Sequence, residues 1–239
     1  MSVVRRGYVD TDSKEFSKEK LLLLKMAQED VFWLLNRGYQ IKKVMEFVGN
    51  HYLLSARQRL AIMRATSSTI LIEERKNKKI SVFDNKTINI DGFNLIITLE
   101  VALSGSTLIK CMDGTIRDLA ELRNSYRLID KTDKAIAIIG DKLQAMNISH
   151  AVFYLDRFVS NTGRLKIRIL ELLDSFSFHT SVEIVDNADY FLKEKSYVIT
   201  TDSIILNECI SWINLVSEII YSSAYGLEEV KESLICLDG

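Results

Sequence analysis

The sequence predicts an α/β fold: a three-layer, mostly parallel sheet over residues 81–239, preceded by a helical N-terminal domain over residues 1–80. Three observations carry this. From about residue 86 onward, strand-like apolar runs (TINID, HAVFYLD, SVEIVD, SYVITTD) alternate with helical stretches, the pattern of βα units in a parallel sheet. The first 80 residues read as helical, with apolar side chains near helical spacing. The charge balance shifts at the same place: residues 1–80 carry 16 Lys and Arg against 9 Asp and Glu, and residues 81–239 carry 15 against 23. That asymmetry fits a basic binding module beside an acidic catalytic one, and it equally fits chance variation between domains.

In chain order, Ser13 to about Arg37 is a long amphipathic helix with Leu21, Leu24, Val31 and Leu35 on its apolar stripe, stopped by Gly38. A second helix runs from about Gln40 to Val48 and ends at Gly49-Asn50. Ser55, three residues before Gln58, forms a capping box that opens a third helix through about Ser67. Arg57 and Arg64, seven apart, share one face of it. TILIEERKNKKISVF reads as two short strands joined by a basic turn. TINID is then a strand and NLIITLEVALSG a helix with Asn94 as its N-cap. STLIKC is a short strand, MDG a turn, and TIRDLAEL the start of a helix. Thr132–Met146 is a helix, HAVFYLD a strand, SNTG a loop and RLKIRILELLDSF a helix. SVEIVD is a strand, NADYFLKE a short helix and SYVITTD the last strand. CISWINLVSEIIYSSAYGLEEVKESLI reads as C-terminal helix, broken near Gly226.

Composition narrows the function classes. The net charge is −1, so the molecule as a whole has no basic field. The three cysteines (Cys111, Cys209, Cys236) and three histidines (His51, His150, His179) are scattered, which argues against a Cys/His zinc site, a disulfide framework or a His-based triad. The chain contains no proline, in keeping with few rigid turns. No apolar run approaches the roughly 20 residues of a membrane helix, and the first residues lack the apolar core of a secretory signal. A cytoplasmic location without a membrane partner is therefore expected.

Four aspartates stand out. Asp91 ends TINID, Asp156 ends HAVFYLD, Asp189 lies just past SVEIVD in VDNAD, and Asp202 ends SYVITTD. Strand ends of a parallel sheet line up along one edge, where ligands bind. Carboxylates gathered there repel one another and need a cation, and hard oxygen ligands suit Mg²⁺ or Mn²⁺. Each aspartate alone also has a plain reading as a turn or cap residue. Asp186 is a further candidate, or a cap for the helix carrying Asp189. Ser160, Asn161 and Thr162 are cap-type residues at a helix start, a place that also binds anions, with Arg157, Arg164, Lys166 and Arg168 nearby.

The pattern IDGFN … FYLD … DNAD … VITTDS resembles the PIN/NYN-like nuclease superfamily over roughly residues 86–215. In that superfamily an Asp ends the first strand, often as DG(Y/F)N, another ends a middle strand, one in an AD pair opens a short helix, and a T-x-D element ends the next strand. Asp91, Asp156, Asp189 and Asp202 match these positions, with Asn94 and Thr201 as supporting matches. The N-terminal part looks like a helical domain that accompanies such a domain in a prokaryotic family. Many members carry a further acidic residue on a central helix. Here Glu100, Asp113 and Asp118 are the candidates, and none matches clearly.

The resemblance implies a PIN-like fold and a Mg²⁺- or Mn²⁺-dependent nuclease, in the first place a ribonuclease. Asp91, Asp156 and Asp202 would be metal ligands and Asp189 a ligand or water-positioner. Asn94, Ser160, Asn161 and Thr201 would support them or touch phosphate. Arg57, Arg59, Arg64, the Arg75–Lys79 run, Arg157, Arg164, Lys166 and Arg168 would attract the polyanion, although each basic group also reads as a solvated face. The alternative is a catalytically inactive PIN-like module that binds RNA or a protein. A small-molecule phosphatase is disfavoured: there is no Gly-rich phosphate loop, and Phe93 stands where a haloacid-dehalogenase phosphatase has its second acid. The N-terminal helices would serve a homo-oligomer, a protein partner, or simply their own core.

Overall fold

The computed structural model describes residues 4–81, 86–121 and 125–237. Its first part is helical: α1 (Asp12–Glu15), α2 (Lys18–Leu35), α3 (Ile41–His51), α4 (Ala56–Ala65) and α5 (Thr69–Lys78). Ser17 caps α2 through Lys20 N–H, and the Ser55–Gln58 capping box opens α4 as its sequence demands. α3 runs through Gly49 instead of ending there. A Cβ at Gly49 would lie 2.6 Å from Arg59 Nη1, so glycine serves close packing at this position and not a helix stop.

The reading of TILIEERKNKKISVF as two strands is corrected for its helical portion. The β-branched residues of α5 favour a strand locally, but its contacts favour the helix. Arg75 is buried and its carbonyl accepts a hydrogen bond from Trp212 Nε1 at 2.7 Å. Of that stretch, residues 82 and 83 lie outside the described residues.

The central sheet holds β1 (Thr87–Asp91), β4 (His150–Asp156), β5 (His179–Val185), β6 (Val198–Ile199) and β7 (Trp212–Ile213), in the order β5-β4-β1-β6-β7. All its pairings are parallel. Helices cover both faces. Ile88, Ile90, Ala151, Phe153 and Leu155 pack against α6 (Gly92–Leu103), α7 (Thr132–Ala145), α8 (Thr162–Leu173) and α11 (Leu215–Ile220). Val152, Tyr154, Val198 and Trp212 pack against α9 (Ala188–Leu192) and α10 (Ser203–Glu208). β4 is buried on both sides, which explains its near-continuous apolar run, while the edge strand β5 is partly exposed.

A second, three-stranded sheet has the order β3-β2-β8, with β2 (Leu108–Lys110), β3 (Ile116–Asp118) and β8 (Ile235–Cys236). TIRDLAEL therefore begins as a strand, not a helix. Leu108 pairs with Asp118 and Lys110 with Ile116. The Asp113-Gly114 turn closes this hairpin, with Asp113 Oδ1 accepting from Thr115 N–H and hydroxyl at 3.1 and 2.6 Å and Gly114 at φ +78°. The C-terminal helix is likewise corrected. It divides into β7, α11, a 3₁₀ turn at Ser223–Tyr225, α12 (Glu228–Glu232) and β8, because Trp212 and Ile213 are fully buried at the sheet edge. The helical part and the small sheet share a core: Leu24, Val31, Val44, Ile62 and Ala65 pack with Ile109, Leu119, Ile235 and Leu237. Among the described residues, no helix is long and apolar enough to cross a membrane.

Candidate active site

The register places two aspartates at the ends of adjacent strands and a third just beyond the next one. Asp91 lies opposite Tyr154, so Asp156 stands two residues further along β4. Ile90 lies opposite Ile199. Thr200 follows, and its hydroxyl donates to Asp91 Oδ2 at 2.9 Å. Asp202 is two residues on. Neighbouring strands are about 4.8 Å apart, so the ends of β4, β1 and β6 share one edge. Asp189 sits in the first turn of α9, and the Ala188 N–H beside it donates to Asp156 Oδ1 at 2.8 Å. His150 and His179 pair at the opposite edge, with ring centroids 4.7 Å apart.

Gly92 lets the chain turn here. A Cβ on it would meet Leu155 Cδ2 at 2.5 Å and the Tyr154 carbonyl at 3.1 Å. Asp91, not Asn94, caps α6, accepting from Asn94 N–H at 3.4 Å. This frees the Asn94 side chain, whose Oδ1 accepts from Thr201 N–H at 2.8 Å and from its hydroxyl at 3.0 Å. α6 is thereby tied to the chain just before Asp202. Asp202 Oδ1 in turn accepts from Ile204 N–H at 2.7 Å and caps α10.

The carboxylates feel one another. Burial, then the charges of Asp202 and Asp189, push Asp91 up to about 8, against the opposing hydrogen bonds from Thr200 and Asn94. Burial, then Asp202 and Asp156, push Asp189 up to about 6, with Lys193 partly offsetting them. The Asp189 carboxylate makes no hydrogen bond among the described residues. Asp156 Oδ2 and Asp202 Oδ2 likewise accept none, their Oδ1 atoms being held by backbone. This donor set is all hard oxygen, which fits Mg²⁺ or Mn²⁺ in kind. Among the described residues, however, no three His, Cys, Asp or Glu side chains stand arranged around a common point as a metal site. Both oxygens of Asp91 and one oxygen each of Asp156 and Asp202 accept hydrogen bonds from the chain.

A buried ionic cluster braces the site, and sequence reading missed it. Arg117, on β3, donates from Nε to the Thr201 carbonyl at 2.7 Å, from Nη1 to the Arg64 carbonyl, and from Nη2 to Asp113. Arg75 reaches the same Asp113 oxygen at 2.6 Å and Asn207 Oδ1 on α10 at 2.8 Å. Arg75 and Asp113 are 2% and 1% exposed, so Arg75 is not a polyanion contact. Lys78 is also turned inward, bonding the Asn207 carbonyl at 2.6 Å. The long-range partner was the missing signal, because nothing near residue 75 in the chain announces Asp113.

Other expected residues are engaged elsewhere. Ser160 exchanges hydrogen bonds with the backbone of Tyr126 at 2.9 Å in each direction. Asn161, at φ +62°, bonds the Tyr126 carbonyl at 2.6 Å, so both build the loop and do not face the aspartates. Asp186 pairs with Arg157 on the surface at 3.1 Å, and Asn187 caps α9. Arg57 forks onto Asp12 at 2.9 and 2.7 Å. Arg59 holds the Leu54 carbonyl and Asn50. Arg64 bonds Asp118, and Arg168 bonds Asp133 and Glu171. Arg164 is exposed and Lys166 half-buried. Of the three candidates for an extra acid, Glu100 is paired with Arg6 and Tyr126, Asp113 with the two arginines above, and Asp118 with Thr98 and Arg64. A cleft of about 470 Å³, lined by Arg64, Asn94, Ile97, Thr201 and Ser203 among others, opens beside Asp202.

A family model described as "Domain of unknown function (DUF5616)" matches residues 80–218. A second, "Protein of unknown function (DUF434)", matches residues 23–78. "Uncharacterized protein MJ0935" of Methanocaldococcus jannaschii is 40% identical over 201 residues, covering 82% of this chain and 96% of its own. No solved structure matches.

Proposed function

We propose that this chain, which belongs to the DUF5616 family, is a PIN/NYN-like, metal-dependent phosphodiesterase acting on nucleic acid, in the first place RNA. One observation carries the reading. Asp156 and Asp91 end the adjacent parallel strands β4 and β1, Asp202 lies three residues past the neighbouring β6 as the N-cap of α10, and Asp189 stands in the first turn of α9, and the charges of Asp202 and Asp189 act on Asp91.

Asp156 and Asp202 would hold the ion through Oδ2 while Oδ1 keeps its backbone bond. Asp91 would join them on losing its proton, and Asp189 would ligate or orient water. A bound Mg²⁺ or Mn²⁺ supplies Lewis acidity and a water of lowered pKa. Asn94, Thr201 and Arg117 fix the chain that carries Asp202. The substrate approaches an edge whose own charge is negative, so neutralisation by the ion is also what admits a phosphodiester.

The test is Mn²⁺-dependent hydrolysis of bis(p-nitrophenyl) phosphate and of labelled RNA by the purified protein. The Asp91→Asn, Asp202→Asn double variant is expected to lose both activities while keeping its circular dichroism. A parent protein that neither binds Mn²⁺ by calorimetry nor cleaves either substrate sinks the proposal. A non-cutting module is the second reading, favoured by the backbone caps on three of the carboxylates. Under it the double variant keeps the parent's RNA affinity.

A further inference from the structure

A second cavity, of about 390 Å³, lies between the N-terminal helices and α10. Its polar side is lined by Ser67, Ser68, Arg75, Arg117, Ser203 and Asn207, its apolar side by Leu35, Ile41 and Leu71. Two guanidiniums line it and no carboxylate does. Their counter-ion, Asp113, is 1% exposed, and both arginines use the same oxygen of it. This buried trio therefore sets two cations against one anion. Burial pushes Arg75 below its ordinary value, with Asp113 opposing and Arg117 adding to the push. A buried charge without a full counter-charge is costly, and an anion in the cavity relieves that cost.

The donors on the polar side are not spent. Arg75 places Nε on Asn207 Oδ1 at 2.8 Å and Nη1 on Ser67 Oγ and Asp113, at 2.9 and 2.6 Å. Its Nη2 has no acceptor among the described residues. Asn207 Oδ1 is held by Arg75, so the Asn207 amide nitrogen is left as a donor, and it too has no acceptor among the described residues. Ser68, the N-cap of the ten-residue α5, makes no cap hydrogen bond. Thr69 N–H donates to Asn36 Oδ1 at 2.9 Å, which leaves the Ile70 and Leu71 N–H groups of that first turn free among the described residues. Surplus positive charge, idle donors and an open helix start all favour an anion. Donors offered from three places suit the three terminal oxygens of a phosphate. A cavity of this size that joins an apolar wall to a few placed polar groups takes a small organic molecule.

We propose that this cavity binds a small phosphate-bearing molecule, its phosphate against Arg75, Asn207 and the first turn of α5 and its body against Leu35, Ile41 and Leu71. Arg75 lies too deep for a polymer, but a small ion that enters the cavity needs only the tip of its side chain. The site does not rest on the phosphodiesterase reading.

Binding is measured by calorimetry in EDTA at constant ionic strength, with inorganic phosphate, phenyl phosphate and benzyl alcohol as probes. Without a metal the acidic edge repels an anion and adds nothing to the signal. The parent is expected to bind phenyl phosphate more tightly than inorganic phosphate and to ignore benzyl alcohol. Asn207→Asp keeps an acceptor for Arg75 and replaces the idle donor with negative charge. Ser68→Asp keeps a good N-cap and sets a carboxylate on the cavity wall. Each should weaken phenyl phosphate binding by about 10- to 150-fold with a urea midpoint no lower than the parent's, which separates lost binding from lost folding. A parent that binds neither phosphate probe overturns the inference. Folded variants that bind phenyl phosphate like the parent also overturn it, since the anion then sits elsewhere. Benzyl alcohol binding as tightly as phenyl phosphate overturns it by making the cavity purely apolar, and equal affinity for the two phosphate probes overturns the place given to the organic body.

Discussion

Asp91 holds its proton because burial and two neighbouring carboxylates all disfavour its charge. Its folded-state value, about 8, lies above the ordinary 3.8. The folded chain therefore binds this proton more tightly than the unfolded chain does. The associated stability is complete below about pH 4 and drains away as pH rises toward 8. In EDTA the protein should lose stability between about pH 4 and pH 8, and Asp91→Asn should flatten that slope and stabilise the protein at pH 8 by on the order of a few kcal/mol. Urea titrations at several pH values check this, and a parent and variant with parallel pH profiles contradict it. By the same argument Mn²⁺ must displace the proton, so binding at pH 7 should release protons, detectable as a buffer-dependent calorimetric enthalpy.

Gly92 gives a second residue-scale test. Its neighbours at 2.5 and 3.1 Å are a fully buried leucine and a backbone carbonyl, neither free to move. Gly92→Ala should cost about 1–3 kcal/mol in a urea titration. The aspartates were legible in the sequence because a strand end is announced by the apolar run before it. Asn94 was misassigned because Asp91 is an equally good cap and stands three residues earlier. Ser160 and Asn161 looked like anion ligands because their type suits both a phosphate and a loop, and only Tyr126 decides between these.

At the scale of elements, the long helices and the βα alternation were legible from periodicity, while the short strands were not. TIRDLAEL places Ile116 and Leu119 three apart, which is helical spacing, and only the partner strand β2 makes Ile116–Asp118 a strand. β8 pairs with β2 from more than a hundred residues away, beyond the reach of any local pattern. The buried cluster holding this hairpin is correspondingly demanding. Arg117→Ala strands Asp113 with one cation and frees two carbonyls, so it should cost about 3–5 kcal/mol and, under the proposed function, lower kcat by loosening Asp202. Thermal unfolding together with the Mn²⁺ assay measures both effects. An Arg117→Ala protein as stable as the parent refutes the role given to the cluster.

At the scale of the molecule, the basic first third had suggested a surface for polyanions. Part of that charge has an internal use: Arg57, Arg59, Arg64 and Arg75 each bond carbonyls or carboxylates of their own chain. Net charge by segment is visible in a sequence, but whether a given arginine faces solvent depends on its tertiary partner. The shared core of helices and small sheet further predicts one cooperative unfolding transition. Single-tryptophan variants check it, because Trp33 reports on α2 and Trp212 on the edge of the central sheet. Coincident urea midpoints are expected, since the Trp212–Arg75 hydrogen bond also ties α5 to the central sheet, and separated ones contradict a single transition.

Arg117 touches the Arg64 carbonyl, Asp113 and the Thr201 carbonyl at once. One guanidinium thus serves as a keystone between α4, the hairpin and the loop that presents Asp202. A chimera that borrows its first helices from a relative must bring a carbonyl to the same seat, because any misfit there is passed through Arg117 to the Thr201 carbonyl beside Asp202 without a change in the aspartates themselves.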